Sequence, residues 1–303
     1  MSRGMNGPAV IVQIAGGLGN QLFEYAFGRS LALRSDVPLV LDHRSCFPHD
    51  FYKRVFTLDK YHIQCGLVPP SEDRSSFIGR ARRRVARWRN ARLPIARRSH
   101  VLERDEFACD PEVAAMRITR PTWFEGVWQH EEYFAAHRDI LLQDLTLRVP
   151  ISDASKAVAE RIHESNAVCL HVRRLLGVPN RADAKPLAPN AAIHLDPSYY
   201  DRAVAFVAER VSRPKFFVFA DYPDWAKEHL RLPFPAEFVF HNGPDRDYED
   251  LWLMSQCRAF IVANSTFSWW GAWLATHPDK LVVAPESGIG CGLKSIPVSW
   301  QRL

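Results

Sequence analysis

The chain has 303 residues, 47% of them hydrophobic and 24% charged, a balance that describes a globular protein with a large core and excludes disorder, collagen-like repeats and a disulfide-dense miniature scaffold. Apolar runs such as Ala9 to Ile14 and Phe216 to Ala220 fall far short of the roughly 20 residues that cross a bilayer, and residues 1–8 lack the apolar stretch of a secretory signal, so a cytosolic chain is expected. The net charge of +5 is local: nine arginines and no acid lie between Arg80 and Arg98, and the rest of the chain is net acidic.

Six cysteines, Cys46, Cys65, Cys109, Cys169, Cys257 and Cys291, are too widely spaced for a zinc-type CxxC pattern and read as reduced, mostly buried thiols.

Ala9 to Ile14 reads as a strand, followed by the loop Ala15-Gly16-Gly17-Leu18-Gly19-Asn20, a helix over Gln21 to Leu33 and a second strand over Pro38 to Asp42. This is a βαβ unit with a glycine-rich first turn. Residues 43–120 show no clear period. Within them, Val85, Trp88, Ala91 and Ile95 recur at helical spacing among the arginines, and the run from Arg80 to Arg98 reads as an amphipathic basic helix on an anionic membrane surface or, equally, as a solvated face. No zinc finger or aromatic RNP-type strand accompanies it, so nucleic acid ranks below both. Aromatic residues crowd together from Trp123 to Phe134, and Leu145 to Pro150 approaches a boundary, giving domains at 1–150 and 151–303.

In the second half, strand-like runs at 167–172, 215–220, 237–240, 259–263 and 280–284 alternate with helical segments near 197–211, 223–230, 248–254 and 268–276. Alternation at this spacing predicts a doubly wound parallel sheet. Asp196-Pro197 marks one helix start, as an N-cap followed by proline at N1.

Ligands of such sheets bind beyond the carboxyl ends of the strands, where helix N-termini gather. Three strand ends carry unusual side chains. His171, Arg173 and Arg174 close one strand, and paired guanidinium groups suit a phosphate or pyrophosphate as well as acidic surface neighbours. Asp221 closes the next, placed for a ribose or base, although taken alone it reads better as a cap for the helix beginning near Pro223. Asn264, Ser265, Thr266, Phe267 and Ser268 lead into the tryptophan-rich helix, a pattern that suits both capping and a metal-free anion site. Gly17 and Gly19 match two glycines of GxGxxG, but Leu22 occupies the third position, which disfavours a nicotinamide dehydrogenase and leaves only close backbone approach to a ligand. Asp245-Arg246-Asp247 resembles a metal-binding DxD, yet Asp247 with Asp250 three residues on reads better as a helix cap. No metal is therefore expected.

Three segments together resemble the α-1,2-fucosyltransferase family, which uses GDP-fucose as donor: GGLGNQLFEYAFGRSLA at 16–32, HVRR at 171–174 and NSTFSWWGAWL at 264–274. Weaker echoes are Gly126 to Gln129 and Asp250 to Ser255. The resemblance implies an α/β, GT-B-like fold of two Rossmann-type domains facing a central cleft, and an inverting, metal-independent transfer of L-fucose to a hydroxyl of a glycan acceptor, typically O2 of a galactose. It implies that Arg173 holds the β-phosphate, with His171 and Arg174 shaping that site, Asn264 to Ser268 on the diphosphate, Asp221 on the guanosine, and Gly17, Gly19, Asn20 and Gln21 reaching the fucose or phosphates. The family pattern places a glycine and an aspartate after HxRR, where this chain has Leu175 and Leu176; Asp183 is a substitute holder for the arginine.

Glu125, Asp42 and His49 are the polar candidates for a general base. Among the aromatic residues Trp123, Phe124 and Trp128, core packing competes with stacking on acceptor sugars, and Trp128 with Gln129 is carried as the acceptor contact. The alternatives are a GDP-fucose transferase of another linkage, such as α-1,6, and a non-catalytic nucleotide-sugar or nucleic-acid binding module.

Overall fold

A computed structural model describes residues 7–50, 52–69, 77–174, 195–286 and 295–303. Leu175, Leu176, Asp183 and Cys291 lie outside them, as does the side chain of His49. The chain divides into two compact units, Met1–Val149 and Pro150–Leu303.

The first unit begins with β1 (Ala9–Gln13), α1 (Leu18–Ser35) and β2 (Leu39–Asp42), then β3 (Gly66–Leu67), α2 (Phe77–Ala91), β4 (His100–Leu102), α3 (Pro111–Ala114), β5 (Pro121–Glu125) and α4 (Arg138–Asp144). All its strand pairs are parallel, in the order β3-β2-β1-β5-β4. β1 lies in the middle because both its faces are apolar: Val10, Ile11 and Val12 are fully buried, the continuous pattern of a strand covered on two sides. Helix α1 begins at Leu18, three residues earlier than the apolar period indicates, with Gly17 at the N-cap.

The stretch 43–120 is more ordered than its sequence indicates. It holds two strands of only two and three residues, too short to show alternation. β5 is internal to the sheet, and its central residues Trp123 and Phe124 are buried. The arginine run is a helix, α2, that ends at Ala91; Ile95 lies beyond it, buried in a 3-10 turn after Pro94.

The second unit contains α5 (Asp153–His163), β6 (Asn166–Val172), α6 (Pro197–Ala208), β7 (Pro214–Ala220), α7 (Pro223–His229), β8 (Ala236–Phe238), α8 (Asp247–Ser255), β9 (Ala259–Ile261), α9 (Thr266–Leu274), β10 (Leu281–Ala284) and β11 (Gln301–Arg302). Its sheet is also parallel, in the order β11-β10-β9-β6-β7-β8. Asp196 caps α6 by accepting from the Ser198 N–H. Asp247 is not a cap: α8 starts on it, with Arg246 at the N-cap position and no side-chain cap bond. Among the described residues no helix is long and apolar enough to cross a membrane, and Cys46, Cys65, Cys109, Cys169 and Cys257 are free thiols.

Gly28, at the centre of α1, allows the helix to touch the sheet. A Cβ there would stand 2.5 Å from Val12 Cγ2 and 2.8 Å from Leu39 Cδ1. Gly28→Ala should therefore push α1 away from β1 and β2 and destabilise the first unit by about 1–3 kcal/mol, read as a lower urea midpoint with an unchanged slope.

Candidate active site

In each sheet, the strand order reverses beside the unit's first strand: between β1 and β5 in the first unit, between β6 and β9 in the second. The C-terminal ends of those strands flank the crevice in which doubly wound sheets bind ligands.

In the second unit, β6 delivers His171, Arg173 and Arg174 to that point, β7 delivers Asp221, and β9 leads through Asn264 and Ser265 into α9. Asp221 ties two of these ends together. Its Oδ1 accepts from the Arg174 backbone N–H at 2.9 Å, and its Oδ2 lies 3.4 Å from Arg173 Nη1. The holder for Arg173 that the sequence reading sought in Asp183 is thus present in Asp221, one strand over, and its carboxylate is engaged by the protein itself. Arg173 remains partly exposed, at 29% of its side-chain surface.

Arg174 has a different role. Its guanidinium stacks 4.1 Å over the Trp225 ring and donates to the Leu195 carbonyl at 3.4 Å, so it pins α7 and the entry to α6 to the end of β6. His171 is 3% exposed and packs against the Phe267 ring at 5.8 Å, joining β6 to the start of α9. Burial, reinforced by the Arg173 charge, lowers its pKa to about 3, so the imidazole is neutral at physiological pH.

The serines at the start of α9 serve the backbone. Ser265 Oγ caps the helix by accepting from the Phe267 N–H, while Ser268 Oγ accepts from the Ala263 N–H and donates to the Ser265 carbonyl. Asn264 is buried, leaving Thr266 and Phe267 as the partly exposed members of the segment. At the other end of α9, Lys280 Nζ donates to the carbonyls of Ala272 (2.6 Å), Ala275 (2.9 Å) and Trp273 (3.3 Å). A cation there satisfies the carbonyls that the helix leaves open and complements the negative end of its dipole. Gly271 lets α9 lie against α8, since a Cβ would come within 2.8 Å of Met254 Cβ.

In the first unit, the glycine turn is braced from inside. Gly16 has φ +73°, a conformation glycine adopts without penalty. Gln21 is fully buried and donates to the carbonyls of Gly16 and Val55 while accepting from the Thr57 N–H. That engagement makes it a brace for the loop. Gly17 faces Arg54, whose Nε would lie 3.7 Å from a Cβ at that position. Arg54 was not singled out in the sequence because it falls in the aperiodic stretch. Gly19 is buried within the first turn of α1. Gln129 donates to Asn20 at 3.3 Å, uniting the β1 and β5 sides of the crevice.

Trp128, carried from the sequence as an acceptor contact, lies in the core of the first unit. It is fully buried, stacked on Phe27 at 4.1 Å with 4° between the rings, and edge-on to Phe124 and Tyr133. Its left-handed backbone (φ +51°) is held by Glu103, which accepts from the N–H groups of Val127 and Trp128. Two candidate bases are likewise engaged. Asp42 accepts from Ser45 Oγ and from the Arg44 and Ser45 N–H groups of its own turn. Burial would push the Glu125 carboxyl up, but His100, Arg87 and Arg83 outweigh it and hold it down at about 2, too low for a proficient base at neutral pH. Among the described residues, Cys109, His130 and Glu132 form a group close enough to share an ion, and none belongs to the β6, β7 or β9 ends.

The crystal structure of the fucosyltransferase NodZ from Bradyrhizobium superposes with a TM-score of 0.52 at 14% identity, covering 88% of this chain and 92% of that one. The architecture is that of a GT-B glycosyltransferase, two parallel α/β units in series. The pattern of Glycosyl transferase family 11 matches residues 103–287, more than half of the chain, and the chain belongs to that family. Among its relatives are an alpha-1,2-colitosyltransferase of Escherichia coli, 29% identical over 280 residues (91% of both chains), and the O-antigen biosynthesis glycosyltransferase WbnK of the same organism, 29% identical over 306 residues (93% of this chain and 95% of that one).

Two predictions follow from the clamp on Arg173. Asp221→Asn keeps the shape but removes the charge that holds the guanidinium, and should lower the transfer rate about ten- to a hundredfold with little change in melting temperature, since misplacing one positioning group by an ångström costs that much. Asp247, half-buried at the start of α8, is raised by burial to about 7, against the pull of the Arg173 charge. It is neutral below that pH and anionic above it, so affinity for a phosphate-bearing ligand should fall as pH rises through neutrality. Calorimetric titrations on both sides of pH 7 check this, and Asp247→Asn should remove the dependence.

Proposed function

We propose that the enzyme moves a 6-deoxyhexose, L-fucose, from GDP-fucose to a hydroxyl of a glycan acceptor, with inversion and without a metal ion. The observation that carries this reading is Arg173, clamped by Asp221 at the end of β6 beside the reversal point of the sheet, two residues beyond His171, whose ring packs against Phe267 at the start of α9. A guanidinium beside a helix N-terminus offers a diphosphate both a charge and oriented N–H donors. NodZ, which shares the fold, has been solved after soaking with GDP-fucose, and the colitosyltransferase is named for an α-1,2 linkage, which supports an O2 hydroxyl as the acceptor atom; a terminal galactose is the proposed sugar that carries it.

In the proposed step, the acceptor oxygen forms a bond to C1 of fucose on the face opposite the nucleotide. The bond from C1 to the β-phosphate oxygen breaks, and its electron pair leaves with GDP. The acceptor proton passes to a base or to solvent. The negative charge gathering on the diphosphate is the feature that Arg173 stabilises. Neutral His171 holds the strand end against Phe267 and adds no competing charge.

Arg173→Ala should lower turnover by about a hundredfold or more, and Arg173→Lys should fail as well because a point charge does not reproduce the paired donors of the fork. Near-normal turnover in a folded Arg173→Ala enzyme sinks the assignment. Assays with galactose-terminated oligosaccharides, run in chelator with GDP-fucose and separately with nucleotide-activated colitose, followed by linkage analysis of the product, test sugar, metal and linkage together. The relative named above makes colitose the second reading.

A further inference from the structure

Helix α2 is amphipathic in an unusual sense. Gly79 and Asn90 are buried and Arg83 and Ala86 half-buried, a row with helical spacing that faces the first unit. Arg83 and Arg87 lie against Glu125, and Asn90 accepts from the Ser99 N–H through Oδ1 at 2.7 Å. Arg98 turns to the helix end, donating to the carbonyls of Leu93 and Ala91.

The other side carries both apolar surface and charge. Trp88 is 64% exposed, Val85 55% and Leu93 41%, three of the few large hydrophobic side chains exposed among the described residues. Arg84, Arg89 and Arg92 are exposed beside them, and the Arg92 guanidinium rests 5.1 Å from the Trp88 ring centre. The sequence from Phe77 to Leu102 contains no acidic residue.

We propose that this outward face docks on the surface of an anionic lipid bilayer. Indole and aliphatic groups flanked by guanidinium are suited to the boundary between acyl chains and phosphate headgroups, where the ring enters the interface and the arginines meet the lipid phosphates. Bare nucleic acid would satisfy the arginines and leave Val85 and Leu93 without partners, whereas a bilayer satisfies both. The inward arginines are already engaged by Glu125, so docking does not require the helix to leave the unit. The structure also redraws the docking face from its sequence pattern: Ile95 is buried and replaced by Leu93. The proposal is independent of which sugar is transferred, and its test needs no turnover.

The full chain is sedimented with vesicles of phosphatidylcholine containing about one-third phosphatidylglycerol, and with pure phosphatidylcholine. Binding is expected to the anionic vesicles only, and to weaken with salt as surface charges are screened. Trp88→Ser and the double variant Arg84→Glu with Arg89→Glu should each lower the partition coefficient about tenfold or more, with melting curves unchanged because neither alteration touches the inward row. Equal binding to neutral vesicles, absence of binding, or variants that bind as well as the parent overturn the proposal. So does a dimer in lipid-free buffer that Trp88→Ser dissolves, or tighter binding to duplex RNA than to vesicles, either of which reassigns the face.

Discussion

The carboxylate of Asp221 ties two strand ends of the second unit together. It stands at the end of one strand and acts on the next, one oxygen fixing the backbone as it leaves β6 and the other fixing the guanidinium of Arg173. β6 and β7 run parallel and in register over seven residues, which sets their C-terminal ends side by side although a crossover containing α6 separates them in the chain. A flexible arginine at a strand end would cost side-chain entropy each time it bound an anion. Held by Asp221, it would meet an anion already ordered, which is the form of preorganisation that favours transition-state stabilisation.

Within each unit, several polar groups at the candidate site hold the backbone or their neighbours in place. Ser265, Ser268, Gln21, Arg174 and Lys280 carry this task. Each has the residue type expected of a ligand contact, and each is engaged by main chain or by an aromatic face. This explains why identity alone could not separate a brace from a ligand contact: serine before a helix caps and binds anions with the same atoms. The sequence shows which segment lies at the site but not which atoms remain free.

The legibility of the fold follows the same logic. β1, β6 and β7 are long, continuously apolar and punctuated by Gly, Pro or a cap, and they lie where the sequence places them. β3 and β4 are shorter than one full alternation, and their pairing with β2 and β5 is a tertiary fact. β5 was obscured by its aromatic residues, which read as a cluster rather than a strand. For Trp128 the sequence left stacking on a sugar and core packing in competition, and the Phe27 and Tyr133 rings closing over it place it in the core. The basic helix was visible in composition, but the division of its arginines between Glu125 and the exterior required coordinates.

The consumption of the α9 serine hydroxyls by their own backbone separates two kinds of selectivity. An anion there would encounter main-chain donors and one fixed guanidinium, groups that sense phosphate oxygens and are indifferent to what the phosphate carries. A preference for what the phosphate carries would then reside in other side chains, which could diverge while these groups stay as they are. A chain organised in this way could change its cargo without rebuilding the handle.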